Sequence, residues 1–227
     1  PMDSATDRTS EDYAKVKTVT DRAIDQLESL GATVVDPILI PELVIERHID
    51  NDYETERATN DYLKGHPDAP VKTFKQIMLS GVVTPSRARG MINLVGKTTD
   101  DPGYLTVIQK RETLRLAVLK LMADHRLDAI VYPTFDHQPT VIPADVLTTA
   151  KEKDEYGRGS NRGLSPAIGF PALALPAGFT TDGLPVGLEL LGRPFSEQML
   201  LGFGYAFEQA THHRRPPRAT PPLQRGR

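Results

Sequence analysis

The stretch from residue 171 to residue 192 limits the fold of this chain more than any other feature. It reads PALALPAGF, then TTDG, then LPVGLELLG, so two apolar segments flank an Asp182-Gly183 pair. An Asp-Gly pair favours a tight reversal, because glycine readily adopts the positive φ that such turns require. We therefore predict two strands joined at Asp182-Gly183.

Amphipathic patterns predict helices before and after this hairpin. Between Ser10 and Leu30 the apolar residues share one helical stripe, and Gly31 follows in the position of a C-terminal cap. Residues 196–212 form a final predicted helix with Ser196 as its N-cap. The expected apolar stripes comprise Val16, Val19, Ala23, Ile24, Leu27 and Leu30 in the first helix, and Met199, Leu200, Leu201, Phe203, Tyr205, Phe207 and Ala210 in the last.

Three further helices are predicted over residues 42–64, 73–79 and 106–125. The segment DAIVYP, residues 128–133, is apolar without alternation, which is typical of a strand covered on both faces, as in a parallel sheet under helices. The segment ATVVDPILI, residues 32–40, predicts a strand that ends in a bend or lies at an edge. The long segment 134–162 is predicted to be functional or mobile.

Composition excludes several classes of protein. The chain has no cysteine, which removes disulfides and thiolate chemistry and favours a reducing, cytoplasmic compartment. Its formal net charge is −3, so no basic field indicates nucleic-acid binding; the run His212-His213-Arg214-Arg215 is interpreted as a solvated terminus. No apolar stretch approaches the roughly 20 residues that span a bilayer, which predicts a soluble protein without a membrane partner.

Motifs for nucleotide binding fail on their spacing. Five residues separate Gly90 from Gly96-Lys97-Thr98, whereas a phosphate-binding loop has four at this place. Gly157, Gly159 and Gly163 are spaced one residue too far for a dinucleotide fingerprint, and a charged segment rather than an apolar strand precedes them. The sequence therefore favours neither nucleotide hydrolysis nor dinucleotide binding.

The sequence also lacks a self-contained hydrolytic or metal site. No Gly-x-Ser-x-Gly pattern is present, and Ser80 and Ser160 are interpreted as turn or cap residues. The six histidines, at 48, 66, 125, 137, 212 and 213, form no helical pair beside a glutamate. We predict no metal.

Residues 165–201, SPAIGFPALALPAGFTTDGLPVGLELLGRPFSEQMLL, resemble the amidase-signature family in their joint spacing. DAIVYPT at 128–134 is similar to the preceding strand of such enzymes, and ATVVDPILIP at 32–41 is similar to their helix-strand passage after the catalytic core. The resemblance implies an α/β fold, a mixed β-sheet covered by helices on both sides. It also implies that residues 1–227 form a single domain, the C-terminal part of an amidase-signature domain.

Enzymes of this family cleave carboxamide C–N bonds with a Ser-cis-Ser-Lys triad and no cofactor. This chain has no Ser-Ser pair and no glycine- and serine-rich signature. The resemblance therefore implies that it contributes no catalytic residue, and that its partner is an N-terminal half bearing the triad, in cis or in trans. A homodimer remains open.

The family residues that can be carried over are candidates for lining the substrate pocket, not catalysts. They are Pro133, Thr134, Ser165, Gly169 and Phe170. The ligand implied is a small-molecule amide. The alternative function is a catalytically silent interaction or regulatory module derived from an amidase.

Overall fold

The protein is seen here as a computed structural model, which describes residues 8–41, 52–150 and 160–217. The helices are α1 (Glu11–Ser29), α2 (Asp52–Lys64), α3 (Phe74–Leu79), α4 (Pro85–Ile92), α5 (Pro102–Asp124), α6 (Leu164–Ile168) and α7 (Glu197–Thr211). The strands are β1 (Ala129–Pro133), β2 (Ala172–Phe179) and β3 (Pro185–Gly192). The predicted α/β class is confirmed.

The predicted hairpin is present as β2 and β3, joined by a turn at Gly183 with φ of +79°. The sheet has the order β1-β3-β2, and both pairings are antiparallel. Strand β1 is thus antiparallel to its neighbour, although an apolar run without alternation is most typical of parallel sheets. Its apolar run reflects packing on both faces, because Ile130 and Val131 contact different cores, and that packing does not depend on strand direction.

Helices pack on both faces of the sheet, as predicted. The first core lies between the sheet and helices α1 and α7 and contains Val16, Val19, Ala23, Leu175, Ala177, Val186, Leu188, Leu190, Leu200 and Phe207. The second core lies on the opposite face, under α5 and α6, and contains Leu114, Val118, Met122, Leu127, Ile130, Leu164, Ile168, Phe170 and Leu191. We call these two sides the first face and the second face of the sheet.

Strand β2 contains an irregularity where it crosses α1. Pro176 pairs with Gly187, and Gly178 pairs with Val186, so Ala177 is an extra residue. Gly178 has φ of +136°, and a Cβ atom there would lie 3.2 Å from Cγ1 of Val19. The glycine therefore permits both the backbone bend and the close approach of α1.

The predicted strand at residues 32–40 is absent. These residues form no regular element, although Ile38 and Ile40 pack against the second core. Pro37 has no backbone N–H to donate to a sheet, so the β-branched composition on either side of it could not produce a ladder. Of the predicted helix over 42–64, residues 42–51 lie outside the described residues, and the remainder is α2.

The buried stripe of α7 is narrower than predicted. Leu200, Gly204 and Phe207 are buried, while Leu201 and Tyr205 are 61% and 67% exposed. Spacings of four and three residues define one helical face, and the apolar residues between them belong to the outer side. Ser196 occupies the N-cap position, but its hydroxyl donates to the carbonyl of Arg193 at 2.7 Å instead of capping the helix.

Replacement of Gly178 by alanine tests the irregularity in β2. We expect Gly178→Ala to lower the free energy of unfolding by about 1–3 kcal/mol, because the side chain opposes a positive φ and approaches Val19. Gly202→Ala is the matched control: a Cβ at Gly202 meets nothing within 4 Å, and alanine should stabilise α7 by about 0.5–1 kcal/mol. Urea unfolding of both variants measures the two changes in the free energy of unfolding. Equal changes would contradict the conclusion that β2 requires a glycine at position 178.

Candidate functional site

Two of the predicted pocket residues lie at the end of β1. Pro133 is the last residue of the strand, and the amide of Thr134 still donates to the carbonyl of Gly187 at 2.9 Å. Asn161 fastens this end of β1 to the segment before α6: its Nδ2 donates to the carbonyl of Pro133 at 2.8 Å, and its backbone N–H donates to the carbonyl of Thr134 at 2.9 Å. Asn161 is buried, and sequence reasoning did not identify it.

The other three predicted residues form the end of α6. The hydroxyl of Ser165 donates to the carbonyl of Phe170 at 2.7 Å, and the amide of Gly169 donates to the carbonyl of Ser165 at 2.9 Å. Gly169 has φ of +71°, the left-handed conformation common at helix ends. Phe170 is 3% exposed in the second core. These contacts hold the chain as it leaves α6 and enters β2.

The structure connects these two groups through the start of α6. The amide of Leu164 donates to the carbonyl of Asn161, so the residue that binds the end of β1 also begins the turn leading to Ser165. The predicted residues therefore belong to one region next to the second face of the sheet.

The hydroxyl of Thr134 is the most informative of these groups. Its Oγ1 is buried, and it has no hydrogen-bond partner among the residues that the structure describes. Gly187 on β3 makes room for it, because a Cβ at Gly187 would lie 3.0 Å from Thr134 Oγ1. A buried hydroxyl without a partner is unfavourable, which marks Thr134 as a group that could bind something outside these residues.

A hydrogen bond between a half-buried tyrosine and a buried glutamate lies next to Thr134 on the second face. The hydroxyl of Tyr132 donates to Oε1 of Glu189 at 2.7 Å, across the β1–β3 register, and Glu189 is 6% exposed. Burial raises the pKa of Tyr132 well above its usual range, and the Glu189 carboxylate raises it further. The sequence offered one signal for this pair, a single carboxylate within the apolar strand LPVGLELLG.

Part of the second face is open beside this pair. Ala172, Ala174 and Pro176 of β2 are exposed, and Ala174 lies opposite Glu189 in the β2–β3 register. In the described part of the chain, the outer edges of β1 and β2 have no strand partner. The described residues thus present a small-residue surface, a buried carboxylate and the Thr134 hydroxyl on one side of the sheet.

Three consecutive buried polar residues, Asp136, His137 and Gln138, follow β1 and connect it to the first face of the sheet. The carboxylate of Asp136 accepts a hydrogen bond from Nδ1 of His137 at 2.7 Å, and Nε2 of Gln138 donates to Oγ1 of Thr180 at 3.1 Å. The ring of His137 also contacts Tyr13 of α1, with centroids 5.5 Å apart. These contacts connect the segment to α1 and to the hairpin.

Metal ligands and membrane-spanning helices are both absent from the described ranges. Among residues 8–41, 52–150 and 160–217, no three His, Asp or Glu side chains come together as metal ligands would. In the same ranges, no helix combines the length and the apolar character needed to cross a bilayer.

Comparison with known proteins identifies the family. The family described as Amidase matches residues 5–201. The chain is 30% identical over 224 residues to a glutamyl-tRNA(Gln) amidotransferase subunit of Ralstonia pickettii (strain 12J), a match that covers 88% of this chain and 43% of that protein. It is 64% identical over 50 residues to the corresponding subunit of Moorella thermoacetica, covering 22% of this chain and 10% of that protein.

A solved structure shows the same fold. An amidase family protein from Bacillus anthracis str. Ames matches with a TM-score of 0.60 and 26% identity, covering 89% of this chain and 37% of that chain. The fold is thus that of amidases. Since the family match extends over most of its length, the chain belongs to the amidase family, which confirms the resemblance found in the sequence. The chain spans less than half the length of these relatives.

The Tyr132–Glu189 pair generates a stability prediction. Tyr132→Phe should lower the free energy of unfolding by about 1–3 kcal/mol, because it leaves a buried carboxylate without its donor. Tyr205→Phe is the matched control, since Tyr205 is 67% exposed on α7. In a Glu189→Gln background the Tyr132→Phe penalty should shrink. An undiminished penalty in urea unfolding would show that ring packing, not the carboxylate, is responsible.

Proposed function

We propose that this chain is the C-terminal part of an amidase-family hydrolase that cleaves the C–N bond of a carboxamide. The observation that carries the proposal is the family match over residues 5–201, combined with coverage of only 43% and 37% of two relatives. We assign the Ser-cis-Ser-Lys triad to a separate N-terminal half, joined in cis or in trans. The chain itself supplies one domain, with scaffold and part of the pocket.

The reaction proposed for the assembled enzyme is acyl transfer through a serine. The neutral lysine amine accepts a proton from the bridging serine, which takes the proton of the second serine as that serine attacks the carboxamide carbonyl. The C–N bond breaks as the lysine's proton passes through the bridging serine to the departing nitrogen, which releases ammonia or an amine and leaves an acyl-enzyme ester. Water then attacks this ester, releasing the carboxylic acid and returning the proton to the second serine. The scheme requires neither a metal nor an organic cofactor, and we place it in the cytoplasm.

We propose that the substrate pocket is lined from this chain by Pro133, Thr134, Ser165, Gly169 and Phe170. The buried hydroxyl of Thr134, without a partner in the described residues, supports a polar contact to the substrate or to the other half. The hydroxyl of Ser165 donates a hydrogen bond to the carbonyl of Phe170, so we expect these two residues to determine the shape of the pocket wall rather than to bind the substrate through this hydroxyl.

The open surface on the second face supports assembly with another element. Ala172, Ala174 and Pro176 are small or lack a flexible side chain, so a covering segment could approach the backbone of β2 closely. The buried Glu189 carboxylate would gain hydrogen-bond donors from such a segment, because the Tyr132 hydroxyl, its one donor among the described residues, leaves part of its capacity unused.

Complementation is the test of the proposed activity. We expect the purified chain to release no ammonia from simple carboxamides, and a mixture with the N-terminal half encoded upstream, or with that of the Ralstonia relative, to release it. Ammonia release should disappear when the lysine or either serine of the added half is replaced by alanine, which serves as the control. Coupled glutamate dehydrogenase assays measure the rate.

Two results would contradict this division of labour. Turnover by the chain alone would place a nucleophile within it. Binding of the two halves without turnover would instead favour a silent interaction module.

Thr134→Val separates a pocket role from a structural one. In the isolated chain the substitution should leave stability unchanged or raise it, because it removes a buried hydroxyl without a partner in the described residues. In the complemented enzyme it should lower kcat/KM about two- to tenfold, the loss expected for one hydrogen bond. Thr113→Val, at an exposed position of α5, is the control. Unchanged kcat/KM would remove Thr134 from the pocket.

A further inference from the structure

The basic run that follows α7 does not simply extend into solvent. Nε2 of His213 donates to Oε1 of Gln26 on α1 at 2.8 Å, and the His213 ring lies 6.0 Å from the Phe207 ring between centroids. The guanidinium carbon of Arg215 lies 5.0 Å from the centroid of the Phe179 ring. His213 and Arg215 therefore contact α1 and the end of β2, while His212, Arg214 and Arg215 are exposed, so the run is solvated as interpreted except at the half-buried His213.

A surface groove of about 280 Å³ lies between α1 and the end of β2. Its apolar part is formed by Ala14, Val19 and Phe179, and two threonines, Thr18 and Thr181, add hydroxyl groups. Arg22 lines the same groove. The ring of Phe179 therefore lines the groove and also contacts the guanidinium of Arg215. The volume is near the small end of the range for ligand pockets.

The charges along this groove are not balanced evenly. At one end Lys15 is neutralised by Glu11 and Asp182, at 2.7 Å and 2.8 Å. At the other end neither Arg22 nor Arg215 has an acidic partner within the described ranges. Burial lowers the pKa of the His213 imidazole, and the positive charges of Arg22 and Arg215 lower it further. Uncompensated positive charge is therefore concentrated beside Phe179.

We propose that this groove binds a small organic carboxylate, with Arg22 and Arg215 holding the carboxylate and Phe179 contacting the apolar body of the ligand. Guanidinium groups suit this ligand because their paired N–H donors match the two oxygens of a carboxylate. The apolar surface of Ala14, Val19 and Phe179 favours an organic acid over inorganic phosphate, which would leave that surface unoccupied. The groove is formed wholly by this chain, so the proposal does not depend on amide hydrolysis.

Calorimetric titration of the full 227-residue chain at low ionic strength tests the proposal, with benzoate as the probe. We expect saturable binding of benzoate, binding at least tenfold weaker for benzamide, which has the same shape without the charge, and weaker binding of inorganic phosphate. Arg22→Gln and Arg215→Gln should each weaken benzoate binding by about tenfold, as expected for loss of a charged hydrogen bond.

Arg214→Gln is the matched control, because it removes the same charge one residue away at an exposed side chain for which no contact with Phe179 is seen. It should leave benzoate affinity within about twofold. Arg22→Lys keeps the charge but loses the paired N–H donors. Affinity between those of the unsubstituted chain and Arg22→Gln would therefore support paired hydrogen bonds from Arg22 to the carboxylate. Circular dichroism verifies that each variant is folded. The proposal is overturned by absence of saturable benzoate binding, by equal binding of benzoate and benzamide, or by equal effects at positions 214 and 215.

Discussion

The rest of the structure depends on strand β3, which in the described chain is the strand hydrogen-bonded on both sides. Its alternating side chains enter both cores: Leu188 and Leu190 face α1 and α7, while Leu191 faces α5 and α6. Leu188 and Leu191 are completely buried, and burial of each leucine contributes about 1.5–3 kcal/mol. One strand therefore holds the hairpin, β1 and the helices of both faces in a single arrangement.

The same strand determines where polar groups lie. Glu189 lies between the leucines of β3 and points to the second face, where it contacts Tyr132. Two residues earlier in β3, Gly187 has no side chain and so leaves room for Thr134. Among the described residues the Glu189 carboxylate has one hydrogen-bond donor, which leaves part of its capacity unused. The N-terminal half that we propose would cover this surface and supply further donors.

Sequence patterns predicted the elements whose local signals agree with their packing. The Asp182-Gly183 hairpin, α1 with Gly31 after it, and α5 all follow from periodicity and turn residues. Patterns failed where partners far along the chain decide the outcome. Strand direction in β1 depends on β3, and the outer residues of α7 are apolar although they are exposed.

The candidate site was predictable only in part, for the same reason. Family resemblance indicated Pro133, Thr134 and the residues around α6. Asn161 and the Tyr132–Glu189 pair instead depend on hydrogen bonds between residues that are far apart in the sequence, separated by 28 and by 57 positions.

The irregularity at Gly178 has a consequence for the faces of β2. Ala177 and Gly178 are consecutive residues that both face α1, and Phe179 after them lines the groove beside α1, so the alternation of faces along β2 is lost at this point. Three successive residues at the hairpin end of β2 therefore lie along one helix, which a regular strand, with every second side chain on the opposite face, would not allow.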